Sequence, residues 1–117
     1  MSYLLDTDVI SELVAPSPNP SVTRWLEGSD QESIFLSVVT IGELKRSIEK
    51  LSDSKRKRTL SNWLTGDLLI RFGDRILPID IPVILKWGTL VASMEAKGKP
   101  LPAIDSLLAA TASQFGL

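Results

Sequence analysis

The sequence predicts an α/β domain built on a parallel sheet, and three observations carry that prediction. Three short runs rich in Leu, Ile, Val and aromatic residues, "YLLD", "IFLSVV" and "RILPI", are each bounded by polar or turn residues, as buried strands are. Longer segments between and after them repeat apolar residues every three or four positions, the period of amphipathic helices. Strands alternating with helices imply parallel pairing through helical crossovers, and ligands then gather at the carboxyl ends of the strands. At 117 residues, 44% hydrophobic and 23% charged, the chain suits one globular domain spanning residues 1–117.

Each element has its own justification. "YLLD" is the first strand, and "DVISELV" follows as a short helix that stops before the "PSPNP" loop. "PSVTRWLEG" reads as a helix with Pro20 near its start and Gly28 after its end. The second strand, "IFLSVV", leads into a helical "TIGELKRSIEKL". In "DSKRKRTLSNWLTGDLLIRFG", Leu60, Trp63, Leu64, Leu68 and Phe72 are spaced by three and four, an apolar stripe that faces a core. "RILPI" is the third strand, "PVILKWGTLVASMEAKG" a further helix, and "DSLLAATASQFG" the last, closed by Gly116. Internal repeats and low-complexity tracts are absent.

Composition then restricts the chemistry. The absence of cysteine removes disulfides, thiolate nucleophiles and Cys-ligated zinc. The absence of histidine removes His-based triads and His-containing zinc sites, so acid, base or metal chemistry must come from Asp, Glu, Lys, Tyr, Ser or Thr. The start of the chain has no basic region leading into an apolar segment, and no run approaches 18 apolar residues, so the expectation is a soluble, uncleaved, cytoplasmic protein with no membrane partner. Net charge is −1, yet seven of the 13 Lys and Arg lie between Lys45 and Arg58. That basic stretch is either a solvated helix face or a contact for a phosphate backbone.

Carboxylates mark the junctions where strands become helices. Asp6 and Asp8 stand at the end of "YLLD", two positions apart. Asp8 is expected to cap the helix that follows. A carboxylate at position 6 near the sheet interior would be costly unless paired or metal-bound. Glu12 reads as a solvent-facing helix residue. Thr40 to Glu43 has the form of a T-x-x-E capping box, which would give Glu43 a structural role. Asp105 falls in the first turn of a helix headed by Pro102, where the dipole favours an anion. Each residue has a structural explanation, but the parallel sheet could bring Asp6, Glu43 and Asp105 to one rim. Carboxylates clustered there repel unless protonated or bridged by cations, and the fitting ions are Mg²⁺ or Mn²⁺.

Taken together, "LLDTDVISEL", "SVVTIGELKRSI", "RILPID" and "PAIDSLLAATASQFGL" resemble the PIN-domain toxins of the VapC type, in order and at family-like spacing over essentially the whole chain. The resemblance implies a three-layer PIN-like fold with a parallel sheet flanked by helices. It implies a metal-dependent endoribonuclease toxin of a toxin–antitoxin pair, using Mg²⁺ or Mn²⁺ to hydrolyse RNA. Asp6, Glu43 and Asp105 would be the catalytic metal ligands, Thr7 would help orient a water at the metal, and Asp8 stands where many relatives carry Asn. It further implies a homodimer and a cognate antitoxin whose tail covers the acidic rim, often with a basic side chain. Relatives usually continue into a strand ending in T-R-N, a fourth acid and one more strand. If the chain is complete at Leu117, the expectation is that those strands and that acid are missing, that "YLLD" lies at an open edge and that activity is impaired.

Two other readings remain. "LLDTDVI" approaches the D-x-D-x-[TV] signature of haloacid-dehalogenase-type phosphatases, with Asp6 as nucleophile, although Ile10 replaces Thr or Val and no later pair of acids follows a strand. A PIN remnant without catalysis, which still binds an antitoxin, is the third.

Overall fold

A computed structural model describes residues 1–117. Its centre is a three-stranded parallel sheet of β1 (Tyr3–Leu4), β2 (Ile34–Ser37) and β3 (Ile76–Leu77), in that spatial order. Tyr3 pairs with Ile34 and Leu4 with Phe35, while Leu36 and Ser37 pair with Ile76 and Leu77. The predicted α/β class and parallel pairing are present, and β1 is an edge strand. β2 is central, and Ile34 and Leu36, which share one face of the strand, are almost fully buried.

Helices leave the strands abruptly. After β1, α1 (Thr7–Ser11) runs into a 3₁₀ turn at Glu12–Val14. Glu12 is half-buried rather than solvent-facing, because its Oε2 accepts from the Asn19 backbone N–H at 2.8 Å and closes the "PSPNP" loop. Asn19 then caps α2 (Pro20–Gly28), accepting from Ser21 N at 2.9 Å, with Pro20 in the first turn. Trp25 of α2 packs edge-on against Tyr3, with ring centroids 5.1 Å apart.

The second strand is shorter than "IFLSVV" predicts, since α3 (Val38–Glu49) begins at Val38. Val38 and Val39 have strand propensity, but the buried Ser37 hydroxyl accepts from Val39 N at 3.0 Å and starts a helix there. Thr40 and Glu43 consequently lie inside α3, and the T-x-x-E capping box does not form. The long amphipathic segment is helical throughout: α4 (Lys55–Asn62), a π-helical stretch at Trp63–Leu68, and α5 (Leu69–Phe72). Leu64, Leu68 and Phe72 of its predicted stripe are buried. Gly73, at φ 48°, ends the run in a conformation that side chains disfavour.

The main core joins Leu5, Ile34 and Leu36 to Ile10, Leu26, Leu44 and Ile48, and to the stripe of α4–α5. The remaining helices, α6 (Ile81–Ala96) and α7 (Ala103–Phe115), pack on each other. Trp87 Nε1 donates to Ser106 Oγ at 2.9 Å, and that buried hydroxyl donates to Ala103 O at 2.8 Å, so both polar atoms are satisfied at the helix contact. No helix is long and apolar enough to cross a membrane.

Leu36, with no exposed surface at the centre of the sheet, is the most direct test of this packing. Leu36→Ala should cost about 2–5 kcal/mol in urea unfolding; a loss under ~1 kcal/mol would contradict the arrangement of the core.

Candidate active site

Asp6, Thr7, Asp8, Glu43, Asp105 and Leu108 line a cavity of about 90 Å³. They come from three places in the chain: the β1–α1 junction, the second turn of α3, and the start of α7. Parallel pairing puts the carboxyl ends of β1 and β2 side by side, so α1 and α3 leave the sheet as neighbours. Five of the six lining side chains carry oxygen, four of them as carboxylates, and no Lys or Arg is among them.

Local hydrogen bonding differs from acid to acid. Asp6, rather than Asp8, caps α1: its backbone is extended, at φ −81° and ψ 171°, and its Oδ1 accepts from Val9 N at 2.9 Å. Asp6 is also exposed, so the burial penalty expected from the sequence does not arise. Asp8 lies in the first turn of the same helix. Glu43 is half-buried, and its Oε1 accepts a hydrogen bond from Thr7 Oγ1. Thr7 Oγ1 also stands 3.4 Å from Thr40 Oγ1, whose residue is fully buried. Asp105 lies in the first turn of α7, as the sequence predicts; it is exposed, and Pro102 at the cap position makes no side-chain bond.

The set is therefore rich in oxygen donors and unbalanced in charge. In this arrangement no three carboxylates gather closely enough to hold one ion. Like charges keep apart when nothing positive lies between them, and Asp6 and Glu43 are each held by a hydrogen bond of their own. The donor chemistry nonetheless fits a hard divalent cation, because all-oxygen sites suit Mg²⁺ or Mn²⁺.

The basic stretch divides into anchored and free side chains. Lys45 pairs with Glu49 at 2.8 Å, Lys57 Nζ donates to Glu49 O, and Arg56 donates to Val14 O at 3.2 Å. The hydrogen bond from Lys45 first, then the charges of Lys45 and Lys57, hold the Glu49 carboxyl below its usual range. Arg46, Lys50, Lys55 and Arg58 are exposed and outside these bonds. Both readings of the region thus find residues that suit them.

The PIN domain profile matches residues 3–117, and the chain belongs to that family. It is 39% identical over 114 residues to toxin FitB of Neisseria gonorrhoeae, covering 97% of this chain and 82% of the relative. It is 33% identical over 113 residues to VapC ribonuclease Y4jK of Sinorhizobium fredii, covering 97% and 81%. The crystal structure of FitAcB from Neisseria gonorrhoeae superposes with a TM-score of 0.92 at 38% identity, covering 97% of this chain and 82% of that one. This membership decides between the two phosphate chemistries weighed from the sequence, in favour of PIN.

Capping separates the roles of the two neighbouring aspartates. In EDTA, Asp6→Ala should lower stability by about 0.5–2 kcal/mol, whereas Asp6→Asn keeps the cap and Asp8→Ala leaves it untouched. Equal losses for Asp6→Ala and Asp8→Ala in urea unfolding would reject Asp6 as the cap.

Proposed function

We propose that this chain is a divalent-metal-dependent endoribonuclease toxin, held in check by an antitoxin. The observation that carries the reading is the single cavity shared by Asp6, Asp8, Glu43 and Asp105 without a lining cation. An RNA phosphate meeting that cavity would be repelled by about 1–4 kcal/mol per charge pair at 4 Å, depending on the effective dielectric. A divalent ion held there offsets half of that charge and gives the phosphate a cation to meet. The names of the relatives, a toxin and a VapC ribonuclease, point the same way.

In this reading Asp6, Glu43 and Asp105 hold Mg²⁺ or Mn²⁺, and Asp8 adds negative charge beside them. When bound, the ion supplies an activated water and neutralises charge that develops on the scissile phosphate. Thr7 keeps Glu43 turned toward α1 through their hydrogen bond. Arg46 in the last turn of α3 and Lys50 at its C-cap, four residues apart, offer positive charge to the flanking RNA backbone.

Two further surfaces suit protein partners. An apolar groove of about 290 Å³ is lined by Ser11, Val14, Leu44, Ser47, Leu51 and Trp63, among others. Ser11 and Ser47 lie one helical turn beyond Thr7 and Glu43, so the groove continues the acidic cavity along α1 and α3. An antitoxin segment with an apolar face and one basic side chain would fill both. On α6, Ile81, Ile84 and Leu85 form an exposed apolar stripe, which we assign to a homodimer contact.

Titration calorimetry should detect Mn²⁺ binding that Asp6→Asn plus Asp105→Asn removes, and RNA cleavage should be lost in EDTA and in Asp6→Asn. Cleavage that survives Asp6→Asn would refute the nuclease reading. Metal binding with no cleavage of any RNA offered would identify a non-catalytic remnant.

The partner surfaces are separable by mutation. Leu51→Asp should weaken binding of the adjacent gene's product at least tenfold while the chain remains dimeric. Leu85→Glu should yield a monomer in light scattering and retain that binding; the reverse pattern would overturn both assignments.

A further inference from the structure

We infer that Thr40 is a positioning residue of the acidic site, acting through Thr7 on the Glu43 carboxylate. The inference rests on the metal-dependent reading of that site. Thr40 is fully buried in α3, and a buried hydroxyl needs a hydrogen-bond partner. Several other helical threonines, the buried Thr111 among them, find one in their own helix. Thr65, Thr89 and Thr111 each donate to the carbonyl four residues back, to Ser61, Leu85 and Leu107. Thr40 has no such bond: its hydroxyl meets only Thr7 Oγ1, 3.4 Å away and 33 residues distant in sequence.

Proton counting sets the direction. Thr7 has one hydroxyl proton and two oxygen neighbours, Thr40 Oγ1 and Glu43 Oε1. An ionised carboxylate only accepts, so the Thr7 proton points to Glu43. The Thr40 proton is then free to point to Thr7 Oγ1, and the order is Thr40 to Thr7 to Glu43. Donation into Thr7 polarises its O–H toward the carboxylate. One Glu43 oxygen is thereby anchored to α1, and the other remains for the cavity.

The length of the relay also matters. Thr40 and Glu43 are three apart on α3, so the same helix face supplies both ends and α1 supplies the middle. Losing the Thr40 hydroxyl leaves Thr7 a freer rotor. Glu43 then samples more orientations, and ordering it around an ion costs more. Thr40→Val preserves shape and removes the hydroxyl, whereas Thr40→Ser keeps the donor.

Mn²⁺ titration calorimetry on the whole chain, with unfolding in EDTA alongside, tests the relay without relying on turnover. Thr40→Val should weaken Mn²⁺ binding roughly three- to tenfold, the worth of one ordinary hydrogen bond, and Thr40→Ser should restore it. Thr7→Val approaches the relay from its more exposed end and should show the same loss. The Thr7→Val plus Thr40→Val double variant should bind no more weakly than Thr7→Val alone. Unchanged affinity in Thr40→Val, with binding still lost in Asp6→Asn plus Asp105→Asn, would overturn the relay and spare the metal site. Additive losses in the double variant would also overturn it, since the two threonines would then act separately. Unchanged binding in the double aspartate variant would overturn the metal site and the relay together.

Discussion

The parallel register between β1 and β2 is the constraint on which the rest of the molecule depends. Only two residue pairs define it, Tyr3 with Ile34 and Leu4 with Phe35, extended by a 3.0 Å bond from Leu5 N to Phe35 O. A slip of one residue would turn Leu4 and Leu5 to the wrong faces of the sheet. It would also carry Thr7 about 3.3 Å along the strand direction, out of reach of Glu43 and Thr40. The short strand is held from outside its own ladder. Leu5 and Ile10 are buried in the core, and Tyr3 leans on Trp25 of α2. Packing of the flanking helices therefore fixes the register that two residue pairs alone could not.

Placing four carboxylates around one small cavity opposes folding, and the local structure shows how the opposition is reduced. Asp6 and Asp8 sit at the N-terminal end of α1, and Asp105 in the first turn of α7, where unpaired backbone N–H groups present partial positive charge. All three are exposed, so water screens them as well. Glu43 differs. It lies inside α3, half-buried, and gains nothing from a helix terminus. Its stabilising partner is instead a side chain, Thr7, and behind it the buried Thr40. The one acid without help from a helix end is the one with hydroxyl support.

Much of this was legible in the sequence, and the parts that were not share a cause. Apolar runs and three-four spacing located the strands and helices because burial has a period, and Leu64, Leu68 and Phe72 are buried as that spacing requires. Asp6, Asp8 and Asp105 stood out because each occupies a strand-to-helix junction or a helix start, and Glu43 because the T-x-x-E pattern resembled one. Cap positions were another matter. Asp6 and Asp8 are equally good caps by residue type, and only the extended backbone at Asp6 chooses between them. Thr40 and Glu43 match a capping box, yet Ser37 begins the helix earlier because its hydroxyl reaches Val39 N first. A local pattern cannot register the tertiary contact that gives Thr40 its partner on α1. The π-helical stretch at Trp63–Leu68 likewise leaves no mark in the apolar stripe.

Because Ser37 caps α3, Glu43 is not half of a capping box. As half of a cap, Glu43 would have had a complete local reason to be where it is, with its carboxylate turned back to the Thr40 N–H. Inside α3 it has no such reason. Its carboxylate faces α1 and the cavity, in a place where three other acids raise the cost of another negative charge. Leu or Gln would serve α3 as well by helix propensity, and without that repulsion. A cation drawn in among these oxygen-rich side chains would turn the same repulsion into attraction. The physical oddity of Glu43 is therefore stronger support for metal chemistry than the proximity of Asp6 and Asp105, each of which a helix terminus already explains.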